Sequence, residues 1–141
     1  MKRTLILVRH GKSSWEEKGL TDRARPLAER GLRDAPLMGR RLAHDKVRPD
    51  LILSSPACRA LSTANIIAEV LGYRPEEIMT DERLYGADVR TLMEVMGELG
   101  DELRCVMLFG HDPEFTDLAQ RFSGKITRMP TCAVACFTFD A

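Results

Sequence analysis

The sequence predicts an α/β protein of three layers, a mostly parallel sheet flanked by helices on both faces, without a large lid insertion. Three observations carry that prediction. Strand-length apolar runs alternate with helix-like segments and little spacer. The runs TLILV, DLIL and RCVMLF are continuously apolar instead of alternating, as strands covered on both faces require. Each of the three then breaks into polar, turn-forming residues: RHG, SSP and GHDP. The 141 residues are expected to form one domain spanning 1–141, long enough to bury a core.

The elements follow in order. Thr4–Val8 reads as the first strand, and the polar stretch GKSSWEEKGLTDRARP after it as an exposed or functional loop. Helical character begins near Leu27–Gly31 and runs to about Asp45, with Leu32, Leu37 or Met38, and Leu42 toward the core. Pro36 inside this segment predicts a kink, or a late start capped by Asp34. Asp50–Leu53 is the second strand. Ser55 as cap and Pro56 at the first helical position open a helix that Gly72 stops, with Ile66, Ile67, Val70 and Leu71 inward. Ile78–Thr80 is a short edge strand, and Asp88 caps a helix from Val89 to Leu99 that ends at Gly100. Arg104–Phe109 is the third buried strand, Asp112 and Pro113 start a helix to about Phe122, and Ala133–Phe139 forms a last strand.

Composition narrows the function. Lys plus Arg and Asp plus Glu number 21 each, which argues against a basic nucleic-acid face but leaves room for a small positive pocket. No apolar run has the length of a membrane span and the first residues enter a strand directly, so no membrane partner and a cytoplasmic location are expected. Cys58, Cys105, Cys132 and Cys136 lack paired zinc-ligand spacing and read as free thiols. Cys58 does not open a thiolate phosphatase loop, since Ala64 stands where that cradle needs an arginine; beside Arg59 it could still be redox-sensitive. Met93, Met96 and Leu99 make a helical stripe that reads as core more readily than as a partner surface.

In an open α/β sheet the site lies beyond the carboxyl ends of the strands. Arg9, His10, Ser55, Arg59 and His111 stand at three such ends. Each alone has a dull reading, as a solvated arginine or a satisfied loop histidine; together they form a constellation. Two arginines and two histidines without a carboxylate or thiolate do not make a metal site, so no metal and no cofactor are expected. They suit a tetrahedral dianion held by guanidinium forks and helix amino ends. Neighbouring cations would keep a histidine there neutral, so its nitrogen could attack phosphorus and form a phosphohistidine that water cleaves. Gly11 would let the backbone approach the anion and turn away.

LILVRHGKSSW, RPLAERG, DLILSSPACRALSTA and VMLFGHDPEF together resemble the histidine phosphatase superfamily, branch 1, over residues 3 to about 120. That branch includes the phosphoglycerate mutases. RHG alone is a weak signal; RHG, then SSPxxRxxxTA, then GHDP, each after a strand, is a strong one. HGKSSW, RPLAERGLRDAPLMG and the short chain most resemble the SixA-type phosphohistidine phosphatases. The resemblance implies a phosphoglycerate mutase-like fold, His10 as nucleophile, Arg9, Arg59 and His111 on the phosphoryl group, and Gly11 and Ser13 beside them. Lys12 and Glu16 depart from the mutase pattern, which puts mutase activity in doubt. The proton donor is open: one alignment of DERLYG places an acid at Glu82, the other puts Gly86 there and leaves none.

Imidazole is a good leaving group and an alcohol a poor one, so an enzyme lacking a strong acid favours P–N over P–O cleavage. Few residues remain after Arg59 for a lid, so an open mouth suited to a phosphoprotein is expected. The expected partner is a phosphorylated protein, a histidine phosphotransfer domain in the SixA comparison, or a small phosphate ester. The rival readings are a phosphatase for small phosphomonoesters and a phosphate-binding module without chemistry, the latter disfavoured because His10 is present.

Overall fold

The computed structural model describes residues 2–86 and 88–140. Its five strands are β1 (Lys2–Arg9), β2 (Leu51–Ser54), β3 (Met79–Thr80), β4 (Cys105–Gly110) and β5 (Val134–Asp140), ordered β3-β2-β4-β1-β5. β3, β2, β4 and β1 run parallel; β5 pairs antiparallel with β1 at the edge. The helices are α1 (Glu29–His44), α2 (Cys58–Leu71), α3 (Val89–Gly97) and α4 (Glu114–Phe122). This is the expected α/β architecture, and the register brings the carboxyl ends of β1, β2 and β4 side by side, with Arg9 opposite Gly110 and Ser54 opposite Phe109.

Period-two alternation splits the core across the sheet. Leu5, Leu7, Val106 and Leu108 face α3 and α4, packing with Leu92, Val95, Phe115 and Leu118. Ile6, Val8, Met107 and Phe109 face the other way, onto Leu42 of α1 and Ala64, Ile67 and Ala68 of α2. Both faces are apolar, which explains why these strands read as unbroken hydrophobic runs. Met93, Met96 and Leu99 pack against the first of these cores.

Several boundaries differ from expectation for identifiable reasons. α1 starts at Glu29 and carries Pro36 within it; Asp34 is not its cap. The bond Pro36 forfeits is to the carbonyl of Leu32, which lies on the exposed side of the helix, Leu32 being 53% exposed. Leu32 and Leu37 therefore face solvent, and the buried face of α1 is Gly31, Ala35, Gly39 and Leu42. Small residues win because the helices cross closely: a Cβ on Gly39 would lie 3.0 Å from the Val70 Cβ. Gly31 meets the loop after β1 in the same way, where a Cβ would stand 2.4 Å from the Lys12 carbonyl oxygen.

α2 begins at Cys58 with Ala57 as cap, so Pro56 precedes the helix and Ser55 is free for another task. Gly72 ends it in the left-handed conformation, at φ +76°. α2 buries Ala60, Thr63, Ala64, Ile67 and Ala68, while Ile66 and Val70 are half-buried, Val70 at the crossing with Gly39 of α1. α3 stops at Gly97, before Gly100, and Asp88 caps it as expected by accepting from the Thr91 amide. Pro113 takes the cap position of α4, while Asp112 accepts from the Thr116 amide at 3.1 Å.

Candidate active site

His10 follows the last residue of β1. Its amide donates to the Gly110 carbonyl at 3.0 Å, and its carbonyl accepts from the Cys132 amide at 2.9 Å. The backbone is thus fixed from both sides. Nδ1 lies 2.6 Å from the Gly11 carbonyl oxygen. A carbonyl only accepts, so Nδ1 carries the proton and Nε2 keeps its lone pair. Burial lowers the His10 pKa to about 4, with the Arg59, Arg9 and Arg25 charges acting in the same direction and the Gly11 bond opposing. At neutral pH this ring is an uncharged base with one nitrogen available for attack.

The ring of His111 lies 5.1 Å from that of His10, tilted by 54°. Its Nε2 is 2.7 Å from Ser55 Oγ, and that oxygen also accepts from the Ala57 amide at 3.1 Å. Burial, then the charges of His10 and Arg59, lowers its pKa to about 3. The Nδ1 of His111 is buried and has no hydrogen-bond partner among the described residues; the Nε of Arg9 is in the same condition. Unsatisfied buried polar atoms are costly in a finished core. Beside a neutral histidine and arginine charges they suit an anion that would complete them.

Arg9 is anchored by Nη1, which donates to the Met129 carbonyl at 3.0 Å and stands 3.8 Å from Asp112 Oδ2. Arg59, in the first turn of α2, is only 7% exposed. Its Nη1 donates to the Asp22 carbonyl at 2.6 Å and its Nη2 to Asp22 Oδ2 at 2.9 Å. Arg59 and Arg9 both depress the two histidines, so one electrostatic neighbourhood contains all four expected residues, with Ser55 as a fifth.

The remaining expected residues have different surroundings. Gly11 turns its Cα hydrogens to α1: a Cβ there would sit 3.2 Å from the Gly31 Cα. Its amide donates to Thr63 Oγ1 at 3.0 Å, so both features serve packing against α1 and α2 before they serve an anion. Ser13 is buried with its hydroxyl against Arg25 Nη2, supporting that arginine. Glu82 lies on the surface, its two oxygens each accepting from Arg23 at 2.6 Å. The Arg23 bond lowers the Glu82 pKa, the reverse of what a proton donor needs.

Arg25, Asp22 and Tyr85 were not anticipated. Arg25 is buried beneath the Trp15 ring, its guanidinium carbon 3.2 Å from the ring centroid, and it donates to Asp22 Oδ1 at 2.7 Å. Tyr85 donates to Asp22 Oδ2 at 2.6 Å and sets its ring edge-on to His111, 5.4 Å away. Their one local signal is Thr21, whose hydroxyl accepts from the Ala24 amide and caps a short 3₁₀ turn over Asp22–Ala24.

No group of three His, Cys, Asp or Glu able to hold a metal occurs among the described residues. The chemistry on offer is attack by an imidazole on an anion bound by guanidinium groups.

Known proteins place this geometry in context. An uncharacterised protein of Mycobacterium tuberculosis is 37% identical over 112 residues, covering 79% of this chain and 67% of the relative. A 2,3-bisphosphoglycerate-dependent phosphoglycerate mutase from Chelativorans is 40% identical over 92 residues, 61% of this chain and 45% of the mutase. The chain thus spans about two thirds of the first relative's length and under half of the mutase's. The SixA of Agrobacterium tumefaciens superposes with a TM-score of 0.86 at 28% identity, over 95% of this chain and 90% of that one. A protein histidine phosphatase SixA in complex with tungstate superposes at 0.83 with 26% identity, over 94% and 86%. The model of the histidine phosphatase superfamily, branch 1, matches residues 5–98, a span that runs from β1 through Arg59 to α3, and the chain belongs to that family, with a SixA-like structure.

Proposed function

We propose that this protein is a phosphatase for phosphohistidine carried on another protein, a histidine phosphotransfer domain being the type of partner, and that it works through a covalent phosphohistidine at His10. The Nε2 lone pair of His10 attacks phosphorus, the P–N bond to the substrate ring breaks, and that ring leaves as neutral imidazole, its far nitrogen having taken a proton from solvent. Water then attacks the phosphorylated His10, releasing orthophosphate and restoring the neutral ring. Arg9, Arg59 and His111 hold the phosphoryl oxygens through the transfer.

One observation carries the choice of substrate. The two acids nearest to a proton donor's part are held ionised: the Tyr85 bond, with Arg59 and Arg25, lowers Asp22 to about 2, and Glu82, on the surface, is locked to Arg23. Neither is poised to protonate an alcohol. An imidazole, whose ordinary pKa is near ~6.5, does not need such help. The family also contains mutases and phosphatases with other names, so substrate choice rests on this chemistry.

The test compares kcat/KM on a phosphorylated histidine phosphotransfer domain with kcat/KM on a panel of sugar phosphates and nucleotides. The expected preference for the phosphoprotein is at least about 100-fold. Faster turnover of the esters would replace this reading with a small-molecule phosphatase. Binding of phosphate without turnover of either would leave a non-catalytic module.

A further inference from the structure

Asp22 is the most connected carboxylate at the site, and the reaction above gives it no role. It comes from the loop between β1 and α1, 37 residues before Arg59, yet Arg59 Nη2 donates to it while Nη1 donates to the main-chain carbonyl of the same residue. Arg25 and Tyr85 donate to the same carboxylate. Its side chain is 50% exposed while that of Arg59 is 9% exposed. A buried guanidinium left without a counter-charge would be costly, and Asp22 removes that cost while the site holds no substrate.

The same pairing works against the ligand. A phosphoryl group needs the donors of Arg59, and it must approach a carboxylate already bound to Nη2. Around His10 and His111 the guanidinium groups of Arg9, Arg25 and Arg59 face two carboxylates, Asp22 and Asp112.

Resting on the phosphatase reading, we propose that Asp22 is a positioning residue that acts as an internal counter-anion: it aims Arg59 while the site is empty and competes with phosphate for it. The competition lowers affinity for bound oxyanions, orthophosphate product included, and so speeds turnover when release limits it. Tyr85 modulates the competition, because its hydroxyl draws charge from the oxygen that also faces Arg59.

The sign of one measurement separates this role from scaffolding. A residue that only holds Arg59 in place weakens oxyanion binding when altered; a competitor strengthens it. Asp22→Asn keeps an acceptor for Arg59 and removes the charge. Titration calorimetry of the full chain with orthophosphate, and separately with tungstate, is expected to give about tenfold tighter binding for this variant. KM and kcat on the phosphoprotein are expected to fall together, with product release slowed.

Tyr85→Phe keeps the ring and removes the donor, leaving Asp22 a stronger competitor; about twofold weaker oxyanion binding is expected. Equal or weaker binding in Asp22→Asn overturns the proposal, and should that variant not fold, unchanged or tighter binding in Tyr85→Phe does so. Wild-type protein that binds orthophosphate but does not turn over phosphohistidine would defeat the substrate reading and leave the role of Asp22 standing.

Discussion

Arg83 and Arg59 are both arginines bound to carboxylates, one on the surface and one in the site. Arg83 donates through Nε and both terminal nitrogens to Asp81 and Glu98, at distances from 2.7 to 3.1 Å, with its side chain 39% exposed. Two carboxylates serve one cation there. In the site the ratio reverses: Arg9, Arg25 and Arg59 share Asp22 and a distant Asp112, and buried nitrogens of Arg9 and His111 have no partner among the described residues. A surface cluster that exists for itself closes its own accounts, whereas a cluster built to receive an anion keeps excess cationic charge and unspent donors where water is scarce.

The sharpest way to break this comparison is to remove the proposed nucleophile. His10→Ala is expected to lower kcat/KM on phosphohistidine by about 10⁴-fold or more and to abolish phosphoryl addition seen by mass spectrometry of briefly exposed protein. Addition that survives the substitution would place the nucleophile elsewhere. Arg59→Ala comes next, with an expected loss of about 10²- to 10³-fold in kcat/KM, since a preorganised charge on the reacting group disappears. A loss under tenfold would make Arg59 as dispensable as a surface arginine.

Acidity sharpens the contrast differently. His10 and His111 titrate near 4 and 3 in the folded chain, against an ordinary value of 6.5. As pH falls below 6.5 the unfolded chain takes up protons that the folded one refuses, so stability is full above that pH and declines toward 4 and below. Denaturant titrations at pH 7 and pH 4 are expected to differ by about 3 kcal/mol for each of these rings, with about half the difference left in His111→Asn. Turnover should keep its neutral nucleophile well below pH 6; an acid limb centred near 6.5 would show an ordinary exposed ring. The smallest effect belongs to Arg83→Ala, which is expected to leave stability nearly unchanged, solvent and salt screening its pairs, and to change kcat/KM by under twofold.

The residues at strand ends were legible because strand, turn and chemistry are adjacent in the chain: RHG, SSPACR and GHDP each state an element and its side chains at once. Period and apolar runs also gave the layers and all five strands. Asp22, Arg25 and Tyr85 were hidden because they reach the site across 37 and 63 residues from segments without periodicity, and a loop does not announce what it will touch. Leu32 misled for a related reason. Helical spacing identified an apolar stripe, but the closeness of α1 to α2 is set by Gly31, Ala35 and Gly39, whose small size gives a hydropathy pattern nothing to show. Glu82 fitted a motif by spelling alone; Arg23, which claims it, is 59 residues away.

The crossing of Gly31 over Lys12 has a consequence for how this protein can be changed. The first turn of α1 rests on main chain two residues past His10, with no flexible side chain between them to absorb a displacement. A single methyl added at residue 31 would force either α1 or the segment that carries His10 to move, as a shim under one leg tilts a table. Placement of His10 and the packing of α1 are therefore not independently adjustable here, and replacement of glycine by alanine to stiffen a helix should leave α1 alone and begin at Gly97, at the end of α3, whose added Cβ would meet open space.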